Sequence, residues 1–257
     1  MSMIPNMKCS LRGCKYNLGY AEKDVPKTDP RYDQEDYNII HICFAFPPEV
    51  GGIPNSIAWG NNEHLKPLRG QKNNIVFDDS DWLNIRGCTE KQFYNLVYSK
   101  SNINIPRNIL ISQGRKIIKK ILTKKLHYMN GFSEIYSIFK QKYKLALVTS
   151  TGPKLVNHID KLLSIRKKFD LIITASDTNL HKPNPDPYLI AMNRLNLKSN
   201  ECIIIEDSIH GIKAGKAAGS YVIAIEGSIE KNFLMDADYI ITSFYDLKDI
   251  LIDINKH

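Results

Sequence analysis

Four short stretches carry side chains that could do chemistry. KLALVTST (144–151) runs an apolar segment into the hydroxyls of Thr149, Ser150 and Thr151. HKPNPDPYLIA (181–191) presents Lys182, and IIIEDSIHGIKAGKAAG (203–219) ends an apolar run in Glu206 and Asp207. IVFDDSDWL (75–83) ends one in three carboxylates, Asp78, Asp79 and Asp81. A hydroxyl donates to phosphate oxygens, and a lysine supplies charge to both a phosphate and a carboxylate nucleophile. Carboxylates from two strands are the hard oxygen ligands that Mg²⁺ takes. Together these residues describe a phosphate and magnesium constellation.

Such groups converge only if the elements before them lie side by side. From residue 75 onward short apolar runs alternate with helical stretches: IVF (75–77), LALV (145–148), LIIT (171–174), III (203–205), VIAI (222–225) and YII (239–241). Continuous apolar strands separated by helices indicate a parallel sheet covered on both faces. The expected fold is α/β, a doubly wound parallel sheet, with its ligand in the crevice beyond the carboxyl ends of the strands.

Composition bounds the rest. A chain of 257 residues, 43% hydrophobic, can bury one good core. No run approaches the roughly 18 unbroken apolar residues of a membrane helix, and MSMIPNMKCSLRGCKYN lacks the apolar run of a signal peptide. The expectation is a cytoplasmic protein with no membrane partner. Five cysteines, odd in number and scattered, argue against a disulfide framework, and Cys9 with Cys14 lacks the second pair a metal site needs. The net charge of +8 is concentrated between Arg86 and Asp170, where 18 Lys and Arg face 4 Asp and Glu. Runs such as RKIIKKILTKK fit an amphipathic helix with its charges outward, and an anionic ligand could be steered to it. With no aromatic-interleaved basic motif, nucleic acid is not the expected partner.

The second, third and fourth motifs, KLALVTST, HKPNPDPYLIA and IIIEDSIHGIKAGKAAG, are spaced as in the haloacid dehalogenase-like (HAD) phosphohydrolases, and the chain resembles that superfamily over roughly 75–245. Within it the resemblance is to the β-phosphoglucomutase and sugar-phosphate phosphatase branch. The resemblance implies a Rossmann-like core with a small α-helical cap inserted after the first core strand. It also implies Mg²⁺ and a small phosphorylated substrate, hydrolysed through an aspartyl-phosphate. Thr149 and Lys182 would be catalytic and, with Ser150, would bind the phosphoryl group; Asp78, Glu206 and Asp207 would hold Mg²⁺. Local chemistry offers alternatives. Thr149 could cap the helix starting near Pro153, Lys182 could be a solvated loop lysine, and Asp207 could cap the helix through 209–218.

The first motif departs from the family. The family requires strand-Asp-x-Asp, a nucleophile followed two residues on by a general acid/base; here Ser80 stands two residues after Asp78. Three readings remain open. Asp78 attacks, with its helper missing or replaced by Asp81; or Asp79 attacks and Asp81 assists; or Asp79-Ser80-Asp81-Trp82-Leu83 corresponds to a segment normally downstream, a loop is deleted, and Asp78 stands alone. The cap expected over 84–128 is short, with two or three helices, one near 108–126. The core would then comprise 73–83 and 129–257. Residues 1–72, where only YNIIHICFAF (37–46) looks like a buried strand, form an unassigned N-terminal extension, and the oligomeric state is left open. The alternative to a working enzyme is a HAD-like protein that binds phosphate and Mg²⁺ without efficient turnover.

Overall fold

The computed structural model describes residues 38–41 and 78–254, residue 228 excepted. Six strands, β1 (Asn38–His41), β2 (Ala146–Val148), β3 (Leu171–Ile173), β4 (Cys202–Glu206), β5 (Tyr221–Ile225) and β6 (Tyr239–Ile241), are all parallel. They form two ladders, β1-β4-β5-β6 and β2-β3, with β1 beside β2, so the strand order is 3-2-1-4-5-6. This is the doubly wound arrangement expected from the apolar runs.

The helices between them are α1 (Asp79–Ile85), α2 (Glu90–Ser99), α3 (Arg107–Lys125), α4 (Phe132–Phe139), α5 (Pro153–Leu163), α6 (Asp186–Leu195), α7 (Ile209–Ala217) and α8 (Asp246–Ile254). Strand β4 shows why its sequence is unbroken apolar. Ile203 and Ile205 enter one core cluster with residues of α2 to α5, while Cys202 and Ile204 enter another with α6 and α7. Both faces are covered, so there is no solvent side on which a polar residue would be favoured. Burying each of these isoleucines contributes about 2 kcal/mol.

Two findings concern the segments around the first motif. The place beside β4 is taken by Asn38–His41, paired Asn38 to Cys202 and Ile39 to Ile203. These four residues come from the segment read as an unassigned extension, within its one strand-like run. The run IVF (75–77), expected as the first core strand, lies outside the described residues, as do Cys9, Cys14 and Cys43. Secondly, Val97 of α2 and Leu110, Ile118 and Leu122 of α3 share a cluster with Leu145, just before β2, and with Ile203 and Ile205 of β4. The helices expected as a cap therefore pack into the same core as the strands.

No described helix is long and apolar enough to cross a membrane.

Candidate active site

Two strands deliver the site residues at their carboxyl ends. Thr149 follows β2, and its N–H donates to the Ile173 carbonyl at 2.9 Å, which extends the β2-β3 ladder by one residue. Its Oγ1 accepts from the N–H of Thr151 at 3.2 Å, leaving the hydroxyl hydrogen to donate outward. Thr149 does not cap α5: Gly152 occupies that position, with no side-chain bond to the helix. Thr149, Ser150, Thr174, His181 and Lys182 line one small, partly open cavity.

Lys182 is held from below. Its Nζ donates to Oε1 of Glu206 at 2.5 Å and to the Val148 carbonyl at 3.0 Å, and it lies 4.7 Å from the centre of the Tyr188 ring. Both ions are buried, Lys182 at 4% exposure and Glu206 at 1%. The hydroxyl of Tyr188 donates to the same Oε1 at 2.6 Å. The other oxygen, Oε2, accepts from the N–H of Asp207 at 3.1 Å and from the N–H and hydroxyl of Ser208 at 3.3 and 3.0 Å. A buried carboxylate is tolerated only when paired and fully bonded, and this one is.

The helix start beside it completes the arrangement. Ser208, rather than Asp207, caps α7, accepting from the N–H of Gly211 at 3.1 Å while donating to Glu206. Gly211 is required by contact: a Cβ there would stand 1.9 Å from Cδ of Glu206. Tyr188, Ser208 and Gly211 join the site only through the fold, each by its contact with Glu206. The signal for them was spacing, since each sits within a motif read for its charged residues.

The loop feeding Lys182 is latched by Asp177. Its Oδ2 accepts from both the N–H and the hydroxyl of Thr174 at 2.8 Å, and its Oδ1 from Arg194 at 3.0 Å. Burial pushes the Asp177 carboxyl upward, but these bonds outweigh it and hold it below the usual carboxylate range.

The first-motif carboxylates go elsewhere. Asp78 is the N-cap of α1: its Oδ1 accepts from the N–H of Asp81 at 2.9 Å, and Oδ2 of Asp81 accepts from the N–H of Asp78 at 3.0 Å. Lys100 bridges both carboxylates, at 3.2 and 2.8 Å. The Ser80 hydroxyl, then the Asp81 N–H and then Lys100, hold the Asp78 carboxyl far below its usual range. Asp79 is the first residue of α1. Neither Asp78 nor Asp81 lines the cavity of Thr149 and Lys182. Asp-x-x-Asp is also a capping-box pattern, and here it starts a helix; residues 75–77, the strand expected before Asp78, lie outside the described residues.

The far end of α1 does reach the site. Gly87, at φ +79, brings the chain so close that a Cβ would stand 2.7 Å from Oγ of Ser208, and the Arg86 carbonyl lies 3.1 Å from Nδ1 of His210. Burial lowers the Arg86 guanidinium, opposed by the nearby Asp207 and Glu230 carboxylates. Asp207 thus lies within electrostatic reach of a resident cation. Both oxygens of Glu206 are committed within the protein, and no group of three metal-ligating side chains occurs among the described residues. Asp207 is the carboxylate at this rim that could contribute to a Mg²⁺ site.

A parallel 3-2-1-4-5-6 sheet with hydroxyl, lysine and acidic residues at its carboxyl edge defines a doubly wound α/β domain with a polar site at the strand ends. The chain matches the haloacid dehalogenase-like hydrolases over residues 65–225, and it belongs to that family. It is 29% identical over 131 residues to the pyrophosphatase PpaX of Bacillus mycoides, covering 50% of this chain and 61% of the relative. With PpaX of Halalkalibacterium halodurans the identity is 33% over 130 residues, covering 48% and 59%. The chain thus spans about three fifths of the length of these curated relatives. Among solved structures, CbbY of Rhodobacter sphaeroides in complex with phosphate aligns at TM-score 0.67 and 18% identity, covering 82% of this chain and 96% of that one. A β-phosphoglucomutase of Clostridium difficile aligns at 0.67 and 15%, covering 86% and 97%. Likenesses at this identity show the fold.

Proposed function

We propose that the protein is a HAD-like phosphohydrolase, acting on a phosphate ester or anhydride held at Thr149, Ser150 and Lys182. The observation that carries this is the shared cavity. The Thr149 hydroxyl is left to donate into it, and the Lys182 ammonium beneath supplies positive charge to the phosphoryl oxygens. The names of the curated relatives, pyrophosphatases, support hydrolysis. A divalent metal, Mg²⁺ by family analogy, would stabilise charge on the phosphoryl group when bound, with Asp207 a ligand. The nucleophile in this reading is Asp78, or next Asp79, and Asp78 must leave its capping box to attack.

A second reading has its own support. The box between Asp78 and Asp81, the Lys100 bridge and the Arg86 charge at Asp207 favour a protein that binds phosphate without efficient turnover. Losing a general acid/base alone costs about 10²- to 10⁴-fold in rate.

Hydrolysis of an aryl phosphate and of pyrophosphate, with and without Mg²⁺, tests both on the parent and on Asp78→Asn and Asp79→Asn. Turnover lost in one variant identifies the nucleophile. No turnover in a parent whose melting temperature rises with phosphate would support the binding protein. Neither turnover nor phosphate stabilisation would reject both readings.

A further inference from the structure

Helix α3 contains no Asp or Glu in its 19 residues, and on it Lys116, Lys120 and Lys124 repeat at four-residue spacing. Like charges one turn apart repel, so this face is disfavoured by its own composition unless an anion lies on it. Its Arg115 is already satisfied, donating to Glu90 at 2.8 Å. Helix α5 continues the pattern: Lys154 and Lys161 are exposed, while its acidic residue, Asp160, is turned to the N–H of Arg166 at 2.8 Å.

The two helices meet at His158, whose Nε2 lies 3.1 Å from Oγ1 of Thr123 and 3.3 Å from the Lys119 carbonyl. Lys154, His158 and Lys161, at positions i, i+4 and i+7, share one stripe of α5, and His158 in the middle of that stripe touches α3. Helix α5 begins at Pro153, four residues after Thr149, so the stripe starts at the cavity rim. From Lys154 to Lys161 it runs roughly 10 Å along the helix.

We infer that the seam between α5 and α3, lined by Lys154, Lys161, Lys116, Lys119 and Lys120, binds the distal units of a condensed phosphate chain whose terminal unit sits at Thr149, Ser150 and Lys182. This rests on the reading of that cavity as a phosphoryl site. Charge selects a polyanion, and the helices select its kind: neither α3 nor α5 contains Phe, Tyr or Trp, and the imidazole of His158 is engaged by Thr123 and the Lys119 carbonyl, so the two helices offer a nucleic-acid base no large aromatic platform. A chain of phosphates needs charges at intervals and no such platform.

Calorimetric titration of the full chain with pyrophosphate and with long-chain inorganic polyphosphate, at several salt concentrations, tests this. The parent should bind the long chain more tightly, with the steeper salt dependence. In a Lys116→Gln/Lys119→Gln/Lys120→Gln variant the ratio of long-chain to pyrophosphate affinity should fall about tenfold. Glutamine is a good helix former, so α3 is retained, which circular dichroism checks. An unchanged ratio in the variant, or a parent that does not favour the long chain, overturns the track. So does a single-stranded oligonucleotide of equal charge that displaces polyphosphate more effectively than polyphosphate itself. Absence of pyrophosphate binding in the parent overturns instead the cavity reading on which the track rests.

Discussion

Nζ of Lys182 and Oε1 of Glu206 lie 2.5 Å apart with both side chains buried, joining the loop after β3 to the end of β4. Removing one partner leaves a charge in the interior. Lys182→Met should therefore lower stability by roughly 3–5 kcal/mol. Lys182→Met/Glu206→Gln, which discharges both, should recover a good part of that loss. Urea denaturation of the parent, both single variants and the double variant measures the coupling, and strict additivity would contradict a direct pair.

The α7 start is built around the same carboxylate. Ser208→Ala removes a cap and a donor to Glu206 together, and should cost about 1–2 kcal/mol. Gly211→Ala should cost more, although alanine is the better helix former, because its methyl would meet the Glu206 carboxylate. Thermal unfolding ranks the two, and a stabilising Gly211→Ala would disprove the contact.

Asp78→Asn isolates charge from capping, since asparagine also caps helices. The variant should lose the attraction to Lys100 and melt slightly lower than the parent in dilute buffer. At high salt the difference should vanish, because the pair is exposed and screened. A difference independent of salt would mean that Asp78 acts through something other than this pair.

Acid should loosen the latch that carries Lys182. A carboxyl lowered on folding contributes stability above its unfolded pKa and loses it as pH falls through the folded value. Asp177 is such a group, and so is Asp170, where burial raises the carboxyl but the Leu145 N–H and Lys140 lower it further. Stability should decline from about pH 4 downward. Asp177→Asn should flatten that decline, as followed by melting temperature against pH, and an unaltered acid limb would exclude Asp177 from it.

Five of the six expected apolar runs became strands, because an unbroken apolar segment between helical stretches is stable only inside a covered parallel sheet. Thr149 and Lys182 were also legible: each is a polar residue fixed just beyond the apolar run or loop that delivers it. What the sequence by itself determined, then, is the covered sheet and the polar rim after β2 and β4. The identity of the strand beside β4 was not legible, since apolar runs specify burial without specifying a neighbour, and only packing selected Asn38–His41. Glu206 and Asp207 looked equivalent as adjacent carboxylates. The tertiary structure separated them, turning Glu206 inward to Lys182, Tyr188 and Ser208, and setting Asp207 near Arg86. Asp78 was equally ambiguous, because a carboxylate before a helix serves capping as well as chemistry. Its partner Asp81 follows from the local capping-box spacing, whereas Lys100 was decided by how α1 meets the end of α2, a relation between elements that no local spacing encodes.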